Sequence, residues 1–193
     1  ELAQFAERLP RGDLWVFGYG SLMWSPGFRC AEKSVAFLRG YHRALCILST
    51  RYRGTPRRPG LVMGLCQGGS CWGMAFRVPA ARVPRVLAAL WRREMQRMVY
   101  EARFVPVRIG RGARVHALAF VADVRHPQFA RELDLHGRAR LVAQGIGQRG
   151  RCTEYIRNTL EHMYALGVTD PHLEHVLETA EAIRSRAGGR RAR

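Results

Sequence analysis

Short apolar and β-branched runs follow one another at close spacing through the first two thirds of the chain. They predict strands at residues 14–17, 35–41, 44–49, 61–67, 71–77, 100–109 and 115–121. Two glycine-rich segments, Gly68-Gly69-Ser70 and Gly110-Arg111-Gly112, separate neighbouring runs and predict hairpin turns. Many short strands joined by tight turns favour a sheet that closes, or nearly closes, on itself.

Helical patterns interrupt the strands once and then dominate the remaining third. An apolar stripe recurs at helical spacing from Val83 to Trp91, and it predicts an amphipathic helix there. Further helices are predicted at 129–144, at 153–166, and from Pro171, with Asp170 as the N-terminal cap. The predicted fold class is α+β. We expect an N-terminal extension at 1–13, one domain at 14–183 and a flexible basic tail at 184–193.

Composition limits the class of protein further. The 193 residues are 47% hydrophobic and 24% charged, as in ordinary globular chains. No run reaches the roughly 18 apolar residues of a membrane span, and the N-terminus lacks a signal pattern. Five scattered cysteines show no framework spacing, which favours a reduced compartment. We therefore expect a cytoplasmic protein without a membrane partner.

The net charge of +17 predicts attraction to anions of some kind. However, Lys33 is the only lysine among the 32 basic residues, and so extreme an arginine bias can reflect coding preference as well as function. The sequence shows no recognition helix, zinc finger or paired aromatic and basic strand signature. We therefore expect no nucleic-acid partner, and a small acidic substrate remains compatible with the charge.

Glu94 is the most unusual acidic residue of the chain. It ends a run of 61 residues, from Lys33 to Arg93, that contains no acid. On the predicted helix it falls within the apolar stripe, near Leu87 and Leu90. The carboxylate is either solvated at a frayed helix end or held in an apolar cavity, where burial without a cation raises a carboxyl pKa. In the second case it suits proton transfer near neutral pH.

The segment Gly18-Tyr19-Gly20-Ser21-Leu22 follows the first predicted strand. Glycines at a strand end let backbone N–H groups approach a ligand, and such a set of donors favours an anion. The alternative is a tight turn with no ligand. The segment lacks the lysine and hydroxyl residue of a Walker loop and the third glycine of a dinucleotide fingerprint.

Other potential metal ligands and nucleophiles lack the further partner that a site needs. These pairs are Cys66 with Cys71, His172 with His175, and Cys46 with His42. We therefore expect no metal site, with the histidines of the last helix at the surface and Cys46 in the core.

Several motifs, in order, resemble the ChaC family of glutathione-specific γ-glutamylcyclotransferases. The resemblance extends from Trp15 to Ala182. Its carriers are Val16-Phe17-Gly18-Tyr19-Gly20-Ser21-Leu22-Met23-Trp24, Arg53-Gly54-Thr55-Pro56 with Pro59-Gly60, Trp72-Gly73-Met74-Ala75-Phe76-Arg77, Leu90-Trp91-Arg92-Arg93-Glu94-Met95, Asp123 to Pro127, and Gly150-Arg151-Cys152-Thr153-Glu154-Tyr155. One departure is Cys152, a position at which the family often has asparagine.

The resemblance implies a small mixed β-barrel flanked by helices and a reaction with no cofactor. It implies a lyase that acts on a C–N bond: the α-amine of a γ-glutamyl group attacks its own γ-carbonyl, which releases 5-oxoproline and, from glutathione, Cys-Gly. Glu94 matches the catalytic glutamate, a general acid and base. The matching substrate-binding residues are Gly18, Tyr19, Gly20, Ser21, Leu22, Met23, Arg53 and Tyr155.

Some alternatives stay open at this stage. Tyr155 is either a residue of the substrate cavity or a core aromatic. The substrate is glutathione or another γ-glutamyl amine, and the fold can also serve as a non-catalytic basic binding module. We expect a monomer or a weak homodimer.

Overall fold

The structure is a computed structural model that describes residues 1–189, with side chains to residue 187. Its helices are α1 (Leu2–Ala6), α2 (Val83–Glu94), α3 (Leu135–Gln144), α4 (Cys152–Ala165) and α5 (Pro171–Gly189). Its strands are β1 (Leu14–Gly18), β2 (Glu32–Ser49), β3 (Gly60–Val78), β4 (Tyr100–Ile109), β5 (Ala113–Ala122), β6 (Ile146–Gly147) and β7 (Gly150–Arg151). Short 3₁₀ turns occupy Ser21–Met23 and Ala80–Arg82.

Five strands form a closed barrel in the order β1-β3-β2-β4-β5. Strand β1 pairs antiparallel with β3 and parallel with β5, and the second pairing closes the sheet. The long β4–β5 hairpin turns at residues 110–112, as the glycines there predict. The predicted α+β class with a small mixed barrel is therefore confirmed.

The hairpin predicted at Gly68-Gly69-Ser70 is wrong, because β3 continues through it as one strand. The two strands predicted at 35–41 and 44–49 are likewise one strand, β2. Contacts between β2 and β3 run in antiparallel order: Glu32 with Arg77, Phe37 with Trp72, and His42 with Gly68.

Backbone conformation explains how the strands continue past these glycines. Gly68 and Gly69 have φ of 96° and 68°, and Gly40 on the neighbouring strand has φ of 89°. Glycines in the left-handed region within a paired strand produce a bulge, which bends the strand without ending it.

Helix α2 matches its prediction, and the buried positions are those of the predicted stripe: Val83, Val86, Leu87 and Leu90. The start of α5 is also confirmed, since Asp170 Oδ1 accepts a hydrogen bond from Leu173 N–H. Helix α3 begins later than the predicted residue 129. Asp134 caps it by accepting from Gly137 N–H at 2.7 Å, while Phe129 pairs with Ile47 in an isolated bridge.

The described chain divides into two compact units. The first unit comprises Glu1–Arg43 and Leu65–Val124, and the second comprises Ala44–Gly64 with the described part of Arg125–Arg193. The core of the first unit collects side chains from α1, α2 and the barrel strands: Phe5, Leu14, Val16, Leu22, Val78, Val83, Val86, Leu87, Leu90, Met95, Leu118 and Phe120. Phe5 stacks on Phe104 at 5.5 Å, so the predicted N-terminal extension contributes a helix to this core.

The second unit contains α3, α4 and α5. Helix α5 packs against α3 and α4, where it buries Leu173, Val176 and Ala180. An ion pair between Arg157 and Glu181 also joins α4 to α5.

The predicted flexible tail at 184–193 needs correction, because residues 184–189 continue α5; Arg190 to Arg193 lie outside the described residues. No helix within residues 1–189 is both long enough and apolar enough to span a membrane.

Candidate active site

The glycine turn lies at the end of β1 and leads into the 3₁₀ turn Ser21–Met23. A side chain at Gly18 would place its Cβ 2.9 Å from Leu22 Cβ and 3.1–3.2 Å from backbone atoms of the same turn. Gly73 on β3 approaches from the other side, since a Cβ there would lie 2.3 Å from the Gly18 carbonyl oxygen. The two glycines therefore allow a tight backbone fold that no larger residue permits without a shift.

Tyr19 and Arg43 hold this turn in place. The Tyr19 hydroxyl donates to the Phe120 carbonyl at 2.6 Å, and the tyrosine is 6% exposed. Arg43 Nε donates to the Tyr19 carbonyl, and Arg43 Nη2 donates to the Trp72 carbonyl at 2.6 Å. A charged donor makes a stronger hydrogen bond than a neutral one, so Arg43 fixes the turn against β3.

Only part of the turn offers backbone donors to a ligand. The Met23 N–H donates to the Gly20 carbonyl at 2.8 Å and is therefore already used. The N–H groups of Ser21 and Leu22 precede this bond and have no acceptor within the turn. The side chains of Leu22 and Met23 are buried, so Leu22 can serve a ligand only through its backbone.

Glu94 is the last residue of α2, and its side chain is 17% exposed. The carboxylate is paired, because Arg93 Nε lies 2.9 Å from Glu94 Oε1. The sequence left open a solvated end or an apolar cavity without a cation. The structure shows a third arrangement, a largely enclosed carboxylate that pairs with the guanidinium of Arg93.

Arg93 also reaches the glycine turn. Its Nη2 donates to Ser21 Oγ at 2.8 Å, and its Nη1 donates to the Ser25 carbonyl at 2.5 Å and to the Pro26 carbonyl at 3.3 Å. The structure therefore brings the predicted base and the predicted binding turn together within the first unit, through one guanidinium.

Arg53 and Tyr155, the other predicted site residues, lie together in the second unit. The Arg53 guanidinium is 5.4 Å from the centre of the Tyr155 ring, a cation–π contact, and donates to the Arg151 carbonyl at 3.0 Å. Burial lowers the pKa of Arg53 below its usual range, and interaction with Tyr155 opposes that shift. The Tyr155 ring is 5% exposed, and its hydroxyl accepts a hydrogen bond from Met63 N–H at 3.0 Å.

Cys152, the departure from the family motif noted in the sequence, is buried at the start of α4. Its thiol donates to the Leu61 carbonyl at 2.8 Å and accepts from Leu61 N–H at 3.4 Å. A thiol thus acts as donor and acceptor to one residue, as an amide side chain also can. Burial raises the pKa of the Cys152 thiol to about 11, and the bond to Leu61 reduces that rise.

This pKa predicts that Cys152 is chemically inert in the folded protein. At pH 8 only roughly one thiol in a thousand is ionised at a pKa near 11, and the thiolate is the reactive species. We expect iodoacetamide to label the partly exposed Cys30 more than about tenfold faster than the buried Cys152. Mass-spectrometric mapping over time measures both rates, and urea-unfolded protein is the control in which they converge. Equal rates in the folded protein would contradict the burial described here.

Three residues that bear on this site were not identified as such from the sequence: Arg43, Arg93 and Gly73. Both arginines lie within a chain of 31 arginines, so residue type alone gives no signal. Their contacts join segments 24 and 72 positions apart, and only the folded barrel brings these segments together. Gly73 is recognisable only through its approach to Gly18.

Comparison with known proteins identifies the family to which this fold and turn belong. The model of the ChaC family, described as ChaC-like protein, matches residues 14–183. The chain belongs to the ChaC family, and the resemblance inferred from the motifs is confirmed.

Two curated relatives match over most of their length. Glutathione-specific γ-glutamylcyclotransferase of Escherichia coli (strain K12) is 33% identical over 181 residues, which are 94% of this chain and 78% of the relative. Glutathione-specific γ-glutamylcyclotransferase 1 of Homo sapiens is 31% identical over 183 residues, with 89% of this chain and 82% of the relative covered.

The fold has a counterpart among solved structures. A crystal structure of a γ-glutamylcyclotransferase specific to glutathione from yeast superimposes with a TM-score of 0.83 at 20% identity, over 90% of this chain and 98% of that one. At that identity the likeness concerns the fold, which is the barrel with flanking helices.

Proposed function

We propose that this chain cleaves glutathione to 5-oxoproline and Cys-Gly. The observation that carries the proposal is the sequence identity, over most of the chain, to curated enzymes named for this activity. The enclosed Glu94 carboxylate beside the glycine turn supports it, because the reaction needs a base and fixed hydrogen-bond donors.

Glu94 serves as the base and then as the acid. Its carboxylate accepts a proton from the substrate's α-ammonium group, and the free amine attacks the γ-carbonyl carbon to form the ring C–N bond. The bond to the cysteinyl nitrogen then breaks, and the carboxyl group returns the proton to that leaving amine. The ring nitrogen gives up its second proton through the same carboxylate, which leaves 5-oxoproline with a single N–H and Cys-Gly with a protonated amine. A carboxylate that is 17% exposed and held by Arg93 suits this shuttle, because its position is defined before substrate arrives.

The glycine turn holds the γ-glutamyl group. The N–H groups of Ser21 and Leu22 offer donors to an oxygen anion, while Arg43 and the Tyr19 hydroxyl fix the backbone that carries them. Gly18 keeps this backbone compact, and the Met23 N–H closes the turn through its bond to the Gly20 carbonyl.

Arg53 and Tyr155, within the second unit, are also proposed substrate contacts. This proposal is supported by the Arg53 guanidinium, which can attract a substrate carboxylate. The Tyr155 ring contacts this guanidinium and defines its position.

The variant Tyr155→Phe tests the tyrosine. It deletes the hydroxyl that accepts from Met63 N–H, so we expect a loss of about 1–3 kcal/mol in unfolding free energy. Under the proposed function kcat/KM for glutathione also falls, because the ring and its hydroxyl then border the substrate. Urea unfolding and steady-state kinetics on the same preparation measure the two effects. A folded variant with wild-type kinetics would remove Tyr155 from the substrate contacts and leave it a core aromatic.

The proposed reaction is tested by quantifying 5-oxoproline and Cys-Gly released from glutathione. We expect the two products in equal amounts, with other γ-glutamyl amines such as γ-glutamylalanine turned over more slowly. Faster turnover of γ-glutamylalanine would replace glutathione as the substrate. Absence of 5-oxoproline from every γ-glutamyl compound, in folded protein, would favour a non-catalytic binding module instead.

We also propose a cytoplasmic location and no nucleic-acid partner. The support is the scattered spacing of the five cysteines, which favours a reduced compartment, and the lack of a nucleic-acid recognition motif in the sequence. A monomer or weak homodimer remains the predicted assembly.

A further inference from the structure

We propose that Arg93 is a positioning residue that fixes the carboxylate of Glu94 relative to the glycine turn. The inference rests on the proposed function, since it gives Arg93 a role only if Glu94 is the base. Arg93 itself is not assigned any contact with substrate; it acts through Glu94, and its bond to Ser21 Oγ anchors the guanidinium.

The guanidinium of Arg93 uses all three of its nitrogen atoms. Nε faces Glu94 Oε1 at 2.9 Å, Nη2 donates to Ser21 Oγ at 2.8 Å, and Nη1 donates to the carbonyl groups of Ser25 and Pro26. The Arg93 guanidinium is a rigid planar group. The oxygens of Ser21, Ser25 and Pro26 therefore hold its Nη atoms, while its Nε holds the carboxylate of Glu94.

Low solvent exposure strengthens the bonds between Arg93 and its partners. The Arg93 side chain is 14% exposed and that of Glu94 17%, so water competes little for either group. Side-chain exposure of 36–49% is found in the other ion pairs described, such as Arg77 with Asp13 and Arg157 with Glu181. The pair at the end of α2 is thus more enclosed than each of these surface pairs.

Glu94 needs such a tether because of its place in the helix. It is the last residue of α2, where helices fray and side chains gain freedom. A base must lie within hydrogen-bond reach of the ammonium group that it deprotonates, and a misplacement of about 1 Å can lower a rate on the order of 10²-fold. Arg93 removes this freedom by tying the helix end to the turn that binds the same substrate.

Lysine cannot replace this arrangement. A lysine ammonium is a single point from which three hydrogens radiate, whereas the guanidinium spans separate acceptors in one plane. The variant Arg93→Lys keeps the charge near Glu94 and loses the simultaneous contacts with Ser21 and the loop. It therefore separates the effect of charge from the effect of position.

The test compares Arg93→Met and Arg93→Lys with Arg92→Met as the matched control. Arg92 is the preceding arginine of the same helix and is exposed. For 5-oxoproline release we expect kcat to fall about 10²-fold for Arg93→Met and about tenfold for Arg93→Lys, and to stay within about twofold for Arg92→Met. Circular dichroism and thermal melting establish that each variant is folded; if Arg93→Met does not fold, Arg93→Lys carries the comparison.

A second measurement distinguishes positioning of the base from general support of the fold. In a Glu94→Gln background the base is already absent, so Arg93→Met or Arg93→Lys should change the residual rate by less than about threefold. Equal losses in both backgrounds would show that the arginine does not act through Glu94, and would overturn the inference. Wild-type kcat for folded Arg93→Met and Arg93→Lys would overturn it as well.

The two levels of the proposal fail in different ways. If Glu94→Gln is inactive while both Arg93 variants are normal, only the role of Arg93 is wrong. If Glu94→Gln itself retains wild-type activity, Glu94 is not the base, and the role of Arg93 falls with it.

Discussion

Replacement of Glu94 by glutamine is expected to lower kcat for 5-oxoproline release by about 10²- to 10⁴-fold, the usual effect of removing a general base. Glutamine has nearly the same shape, and its amide oxygen can still accept a hydrogen bond from Arg93 Nε, now 2.9 Å from Glu94 Oε1. The fold and the glycine turn should therefore persist. Glutathione binding, measured by calorimetry, should change by less than about fivefold, because the base contributes mainly to the chemical step.

Glu101→Gln is the matched control for Glu94→Gln. Glu101 lies on β4, its side chain is 37% exposed, and it pairs with Arg103. Such a surface pair contributes little to stability, and we expect wild-type kinetics and folding for this variant. If Glu94→Gln kept more than about a tenth of wild-type kcat, which exceeds what loss of a general base allows, the mechanism would be wrong.

Patterns of local periodicity predicted much of this fold. The stripe from Val83 to Leu90 identified α2 and its buried face, and Asp170-Pro171 identified the start of α5. The β4–β5 hairpin followed from its two glycines and the runs beside them. In each case the deciding contacts lie within a few residues along the chain or across one tight turn.

The error at Gly68-Gly69 shows where local pattern stops being informative. A pair of glycines between two apolar runs fits a hairpin turn and a strand bulge equally well, since both need positive φ. The choice depends on the neighbouring strand: β2 runs alongside β3, and Gly40 on it also has positive φ. That pairing joins residues 26 positions apart, such as His42 and Gly68, so the glycines and their immediate neighbours in sequence do not reveal it.

The candidate site divides in the same way. Glu94 and the glycine turn stood out by position and motif, but the link between them did not. Arg93 appeared only as part of a motif, and its contact with Ser21 spans 72 positions. A chain with 31 arginines gives no reason to single out one of them until the barrel core places β1 and α2 in the same unit.

Gly18→Val is expected to cause the largest loss among changes to the turn. The Cβ alone would lie 2.9 Å from Leu22 Cβ and 3.1–3.2 Å from backbone atoms at Leu22 and Met23, so the 3₁₀ turn must move. Overpacking of this kind costs about 1–3 kcal/mol of stability. Because the moving atoms carry the Ser21 and Leu22 N–H groups, we expect kcat/KM for glutathione to fall on the order of 10²-fold, chiefly through KM.

Two further variants separate movement of the turn from loss of stability. In Gly73→Ala, on β3, the new Cβ would lie 2.3 Å from the Gly18 carbonyl oxygen and would displace the same turn. This variant should therefore also lower kcat/KM for glutathione. Val107→Ala removes methyl groups from a residue that is 1% exposed on β4, and should cost on the order of 2 kcal/mol with kcat/KM unchanged. Kinetics and urea unfolding on all three variants test this. Wild-type KM in folded Gly18→Val, or an equal loss of kcat/KM in Val107→Ala, would show that the turn does not hold the substrate.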